Sequence, residues 1–346
     1  MKITIRSRND RHEFDADGNK SLLLGGLEHG IALPYACASG TCGSCKASVT
    51  AGSVADLWPA APGKKSFKGD DQILMCQCAA RSDCEVVLSE SVSVAPEGAI
   101  LPFSVNARIT NWQLLTHDVA SWELELDEPM AYEAGQFVLV RVPGVEGQRA
   151  YSMVNFEPGS RRLELLIKKK PGGGLSEALF ATDRTGTQVR VTGPLGAAVF
   201  KPAARKHVLC VAGGSGVAGM MSILAHADSI GHFLQMNGYL FFGVRSLRDA
   251  FFLDRLSSLA RSSRGALEIT LCLSDEPVPD TAPRQYPGLS FADGLVHDVA
   301  LRQMAGRLAD VHAFLAGPPP AVDAAMRGLI LKGKLSPKSI SFDKFS

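Results

Sequence analysis

Several things are scarce or missing in this 346-residue chain, and each absence removes a class of function. There is no charge excess: 36 lysines and arginines face 35 aspartates and glutamates, for a formal net charge of +1. Binding a phosphate backbone needs a strongly basic surface, so nucleic acid is not an expected partner. No apolar run approaches the roughly 20 residues of a membrane span. The start, Met1 to Arg6, lacks an apolar signal core and alternates like a strand, so a cytoplasmic protein is expected. The eight histidines show no paired metal spacing, and there is no G-x-S-x-G elbow of a hydrolase. Internal repeats and low-complexity tracts are also missing. What remains is an ordinary globular composition, 46% apolar and 21% charged, in a chain long enough for two or three domains.

Cysteine is the first informative presence. Six of the eight cysteines fall between Cys37 and Cys84; only Cys210 and Cys272 lie elsewhere. In a cytoplasmic chain this clustering suggests metal ligation or redox chemistry before disulfides. The spacing is Cys37-x4-Cys42-x2-Cys45 with Cys76 thirty-one positions later, the plant-type [2Fe–2S] arrangement. Each iron needs two thiolates, and three of the four must come from one tight loop. The intervening residues (Ala38, Ser39, Gly40, Thr41, Gly43 and Ser44) are small enough for backbone N–H groups to reach the sulfurs and tune a potential near about −400 mV. A zinc site is the alternative, but only Cys42 and Cys45 form a C-x2-C knuckle. Cys76-Gln77-Cys78 offers two thiols for the fourth ligand. Cys76 is preferred, with Cys78 and Cys84 as small buried hydrophobes. With Pro34-Tyr35-Ala36-Cys37 and Leu74-Met75-Cys76-Gln77, residues 1–96 resemble a plant-type ferredoxin domain, which implies a β-grasp fold.

Residues 94–99, small and interrupted by one proline and one glycine, read as a linker. Across 103–202, short alternating runs at 105–109, 121–126, 137–142, 163–167 and 189–191 predict an antiparallel β-barrel or sandwich. Across 205–346, apolar runs at 208–212, 239–244, 267–273 and 312–316 alternate with helical stretches, predicting a parallel α/β sheet. The expected fold is thus a multidomain α+β chain in three parts.

Arg149-Ala150-Tyr151-Ser152 resembles the R-x-Y-S motif of the ferredoxin–NADP reductase superfamily; alone it reads equally as a strand end. An arginine fork suits a diphosphate, and a tyrosine offers a flat face to a flavin ring. A serine hydroxyl can donate to the flavin N5. About twenty residues on, Gly172-Gly173-Gly174-Leu175-Ser176 precedes a helical run at 177–181. Glycines before a helix start, with Ser176 near the cap, make an anion site; a flexible hairpin turn is the alternative. Gly193-Pro194-Leu195-Gly196 resembles the G-P-x-G turn that closes the superfamily's flavin domain. The resemblance implies FAD rather than FMN. Arg161, Arg162 and Lys168 to Lys170 form a basic stretch, either a docking face or a solvated strand end.

Gly213-Gly214-Ser215-Gly216-Val217-Ala218-Gly219 follows a strand and resembles the superfamily's nicotinamide motif, with Gly219 where proline is usual. The acidic residue expected after the next strand is replaced by Arg245, with Asp249 following. Arg245 could meet a 2′-phosphate, but NADH is preferred, with NADPH possible. Ala316-Gly317-Pro318-Pro319-Pro320 resembles the C-G-P-P turn beside the nicotinamide, with Ala316 in place of cysteine. Near the C-terminus, Phe345 either shields the flavin ring or packs as a strand edge.

The order of parts resembles the reductase components of bacterial multicomponent oxygenases. Leu57-Trp58-Pro59-Ala60-Ala61-Pro62-Gly63 and the final Asp343-Lys344-Phe345 particularly resemble the toluene monooxygenase group. The resemblance implies electron flow from NADH to FAD to [2Fe–2S] to an oxygenase component or Rieske-type ferredoxin, with Tyr151, Ser152 and Phe345 at the reacting flavin. Gly317 and Pro318 would join residues 213–216 and Arg245 at the dinucleotide. A monomer is expected. A non-oxygenase acceptor, such as a sugar-deoxygenating dehydratase, and a zinc-binding scaffold are the competing readings.

Overall fold

A computed structural model of the chain describes residues 1–145 and 147–344. Phe345 therefore lies outside the described residues. The alternation of the first strand, Lys2–Arg6, buries Ile3 and Ile5. It pairs antiparallel with Arg11–Asp15 and parallel with Cys84–Val87, which continues through Lys46–Ala51 to Gln72–Leu74. The helix Leu22–Glu28 lies on this mixed sheet; Ser21 caps it by accepting the Leu24 N–H at 3.3 Å, and Leu22, Leu23 and Leu24 are buried. One helix held by a mixed five-stranded sheet is the β-grasp arrangement.

Six antiparallel strands follow, in the ladder order Arg149–Ser152, Phe137–Arg141, Gln188–Leu195, Phe103–Leu114, Val119–Met130, Ser160–Lys168. The two outer strands meet through a bridge between Met153 and Leu165 and a 2.8 Å bond from Val154 N–H to Glu164 C=O. The sheet thus closes into a barrel around Trp122, Leu124, Leu163, Leu165 and Val191. Gly193 to Leu195 lie within the strand Gln188–Leu195, correcting the expected turn; only Gly196 turns, with φ +102°. Of residues 94–99, the first two are tied to the first domain, and 96–99 carry no strand or helix. Val94 bridges to Ile31 and the Ala95 N–H donates to Gly30 C=O at 2.7 Å.

The last six strands are parallel, in the order Leu289–Asp293, Leu267–Leu273, Gly238–Val244, His207–Gly213, Val311–Gly317, Ile340–Lys344. Their apolar runs are continuous because helices such as Val217–Ser229 and Pro319–Leu331 cover the sheet. Strand order reverses between His207–Gly213 and Val311–Gly317, which opens a crevice at their carboxyl ends. Among the described residues, no helix is long and apolar enough to cross a membrane.

The barrel shares its apolar packing with both neighbours. Phe137, Leu139 and Leu195 belong to the buried cluster of Ile3, Leu74 and Met75, whereas Val119, Val154 and Leu166 belong to that of Val208, Val217 and Phe242. Phe137→Ala is expected to cost about 3–5 kcal/mol. Denaturant unfolding of the first domain, followed by the visible absorbance of its cluster, should show the loss; an unchanged midpoint would mean the domains do not share a core.

Candidate functional site

The four motif cysteines come together as two pairs. Cys45 Sγ and Cys76 Sγ share a hydrogen bond at 3.2 Å, and Cys37 and Cys42 interact as a second pair. Among the described residues, no three potential ligand groups converge on one point. Two irons need two pairs of thiolates, and the cysteines offer two pairs, which fits the [2Fe–2S] reading. Backbone N–H groups of Ser39 and Ser44 donate to Cys37 and Cys42 sulfurs, both at 3.4 Å. The residue between each sulfur and its donor, Ala38 in one case and Gly43 in the other, turns the chain at a positive φ, +51° and +79°. In each pair the interaction between the two thiols holds one sulfur below the usual thiol range, Cys37 at about 4 and Cys45 also lowered, while Cys42 and Cys76 are raised. Burial pushes Cys78 up to about 12, in keeping with a packed thiol.

Arg149, Tyr151 and Ser152 lie on one barrel strand. Met153 stands opposite Leu165, so the same antiparallel register puts Arg149 level with residue 169, where the chain leaves its strand for the glycine loop. The two flavin elements therefore share one end of the barrel. Helix Gly174–Ala181 starts at Gly173, and a Cβ on Gly172 or Gly174 would meet nothing within 4 Å, leaving open space before the first-turn N–H groups. Ser176 lies near the cap, in the first turn, without being the capping residue itself. It sits buried in the first turn, where its Oγ accepts the Lys170 N–H at 3.0 Å and donates to Gly173 C=O at 3.1 Å, shaping the loop. Tyr151 packs against the barrel core, and burial raises its phenol. Ser152 is buried beside the third domain: a Cβ on Gly219 would lie 3.6 Å from its Oγ. Of the basic stretch, Arg162 pairs with Glu123 at 3.2 Å and Lys168 with Asp118 at 3.1 Å, as on a solvated strand.

Gly213 ends its strand, residues 214–216 form a short turn, and the helix begins at Val217. This turn packs against Ala316, Gly317 and Pro318: a Cβ on Gly216 would stand 2.5 Å from Ala316 O, and one on Gly213 would stand 3.2 Å from Pro318 Cδ. Both turns thus line the crevice at the sheet reversal. Arg245 is mostly exposed and sits 3.7 Å from Asp249. Asp249 is buried, and its Oδ2 accepts both the N–H and the hydroxyl of Ser246, at 3.1 and 2.8 Å. The carboxylate expected at the strand end is therefore present four residues later, as the cap of a turn.

Two junction residues, quoted from the sequence only as parts of motifs, carry contacts between domains. Tyr35, two positions before Cys37, accepts the Gly196 N–H at 2.9 Å and meets Phe137 edge-on at 6.5 Å. Burial raises the Tyr35 phenol, and Asp343, which pairs with Ala316 in the sheet, lies close enough to raise it further. Protein encloses Asp343 on most sides although its rim is open, and that burial raises its carboxyl to about 7. Nothing in the local sequence signals this; only the meeting of three domains does.

Three family profiles match the chain: a 2Fe–2S iron–sulfur cluster binding domain over residues 5–81, an oxidoreductase FAD-binding domain over 106–200 and an oxidoreductase NAD-binding domain over 210–327. The ferredoxin–NAD(+) reductase component of the alkene monooxygenase system of Xanthobacter autotrophicus is 34% identical, covering 97% of this chain and 99% of that one. The chain belongs to this reductase family. It is an oxidoreductase with 2Fe–2S, FAD and NAD domains. The electron transfer component of the xylene/toluene monooxygenase of Pseudomonas putida is 29% identical over 95% of this chain and 90% of that one. The solved ferredoxin reductase of carbazole 1,9a-dioxygenase matches with a TM-score of 0.83 and 31% identity, covering 100% of this chain and 99% of that one.

Two outcomes check this site. Gly216→Ala must force this turn and the Ala316–Pro318 turn apart; if these turns hold the dinucleotide, KM for NADH should rise about tenfold or more with the visible spectrum intact, and an unchanged KM would count against that role. Asp343→Asn tests the raised carboxyl. An unfolded aspartate ionises near about 4, so below that pH both states are protonated and the variant gains nothing. Between there and about 7 the unfolded chain alone loses its proton, so the parent loses folded stability as pH rises. The gain in Tm of Asp343→Asn should grow across that window and stay constant above it; an increment independent of pH would refute the raised pKa.

Proposed function

We propose that this chain is the NADH-dependent reductase component of a multicomponent oxygenase, working in the cytoplasm and passing electrons to an oxygenase component or its Rieske-type ferredoxin. One observation carries the reading. Tyr35 beside the cluster loop, Gly196 of the barrel and Asp343 beside the Ala316 turn meet at one junction, so the three motif-bearing regions converge. The oxygenase assignment is supported by relatives that belong to alkene, naphthalene and xylene/toluene oxygenase systems.

Cys37 and Cys42 would hold one iron and Cys45 and Cys76 the other. Arg149, Tyr151 and Ser152 would meet the flavin, with residues 172–174 and Ser176 shaping its anion site. Residues 213–216, Arg245, Gly317 and Pro318 would line the dinucleotide site. When bound, FAD accepts hydride from the nicotinamide and the cluster takes up electrons singly. The protein's part is geometric. The turn at 213–216 presents N–H groups at a helix start to a pyrophosphate. Ser152, buried between barrel and helix, keeps its hydroxyl at the boundary of flavin and nicotinamide sites. Asp249 engages both donors of Ser246 and opposes a 2′-phosphate, which supports NADH over NADPH.

Anaerobic titration with NADH and NADPH, followed by optical and EPR spectra, tests cofactor choice, flavin and cluster together. A cluster that stays oxidised after NADH addition would overturn the reading. Cys42→Ser is expected to abolish cytochrome c reduction and spare ferricyanide reduction, which can proceed from the flavin; equal loss of both would contradict this division.

A further inference from the structure

The segment between the third and fourth cysteines is a strap tied to both cluster loops. The Leu57 N–H donates to Gln77 C=O at 2.7 Å, next to Cys76, and the Gly63 N–H donates to Gly40 C=O at 2.9 Å, between Cys37 and Cys42. Trp58 stands between these ties, and its own N–H is held by Asp56 at 3.1 Å. The ring presses on the cluster loop so closely that a Cβ on Gly40 would lie 3.0 Å from Trp58 Cε3. The same ring carries the Arg149 guanidinium of the barrel, 4.8 Å from the ring centroid. A guanidinium stacked on an indole uses its face. Its in-plane N–H groups keep their directions for hydrogen bonding, one of them to Gln148 C=O at 2.9 Å.

From this arrangement we propose that Trp58 is a positioning residue that couples flavin binding to the placement of the cluster loop, by holding the Arg149 guanidinium against the strap that braces Gly40 and Gln77. The inference rests on the flavin role proposed for Arg149. An anion at the edge of Arg149 fixes the guanidinium plane, the fixed plane holds the indole, and the indole holds the loop. The coupling is reciprocal by linkage, so loosening the indole weakens the flavin site. A stacked cation–arene pair contributes enough for about a three- to thirtyfold effect.

Two measurements test it. In the wild-type protein, FAD binding should slow hydrogen exchange at the amides of Leu57, Ala61 and Gly63, which lie in another domain from the flavin motif; unchanged exchange overturns the proposal. Trp58→Met keeps apolar bulk without an aromatic face, whereas Trp58→Phe keeps a face. The Met variant should bind FAD about tenfold more weakly. At saturating FAD it should reduce flavin with NADH at the wild-type rate but deliver electrons to the cluster several-fold more slowly in freeze-quench EPR. The Phe variant should stay within about threefold of wild type on both counts. A Met variant equal to wild type, or a Phe variant as impaired as the Met variant, overturns the proposal. Arg149→Gln tests the underlying reading separately: if it binds FAD normally, the flavin role of Arg149 fails, whatever Trp58 does.

Discussion

The arrangement depends on the barrel being packed into two cores at once. Phe137, Leu139 and Leu195 complete the core of the first domain, and Val119, Val154 and Leu166 complete that of the third. Apolar burial is non-directional but sensitive to shape, so a shared core fixes two domains against each other more firmly than exposed polar contacts can. The more directional contacts sit on that base: Tyr35 to Gly196, Trp58 to Arg149, Ser152 beside Gly219, and the Ser222 hydroxyl accepting the Gly135 N–H at 2.8 Å.

The chemistry follows from what this rigidity places together. Hydride transfer and electron hopping require proximity and orientation more than acids or bases. The side chains accordingly do little chemistry themselves. Glycines at 40, 43, 213 and 216 leave room for close neighbours, two pairs of thiols offer ligands, and the buried Ser176 hydroxyl shapes its loop. Asp343 is the exception, a carboxyl whose burial raises it into the physiological range, beside the Ala316 turn and the Tyr35 phenol.

Motifs were legible in the sequence because the spacing of ligands and turns is local. The plant-type cysteine run, R-A-Y-S and the glycine turn each fold within a few residues of themselves, and the barrel and α/β strand runs read from alternation or apolar content fall on observed strands, with 137–142 overshooting its strand by Val142. Ser176 shows the limit. A serine near a helix start reads as a cap, yet its hydroxyl turns back to Lys170 and Gly173 because Gly173 starts the helix without it. Val94 and Ala95 show another: small residues with a proline permit a linker, but whether the first two of them pair depends on Gly30 and Ile31, far back in the chain.

By itself the sequence determined which groups would be bound and in what order along the chain, since thiol spacing, glycine turns and strand periodicity are set by covalent neighbours. Only the tertiary structure decided how those regions meet. That four thiols form two pairs, that Arg149 rests on Trp58 and that Asp343 is enclosed near Tyr35 all depend on packing between domains, where distance along the chain carries no information about distance in space.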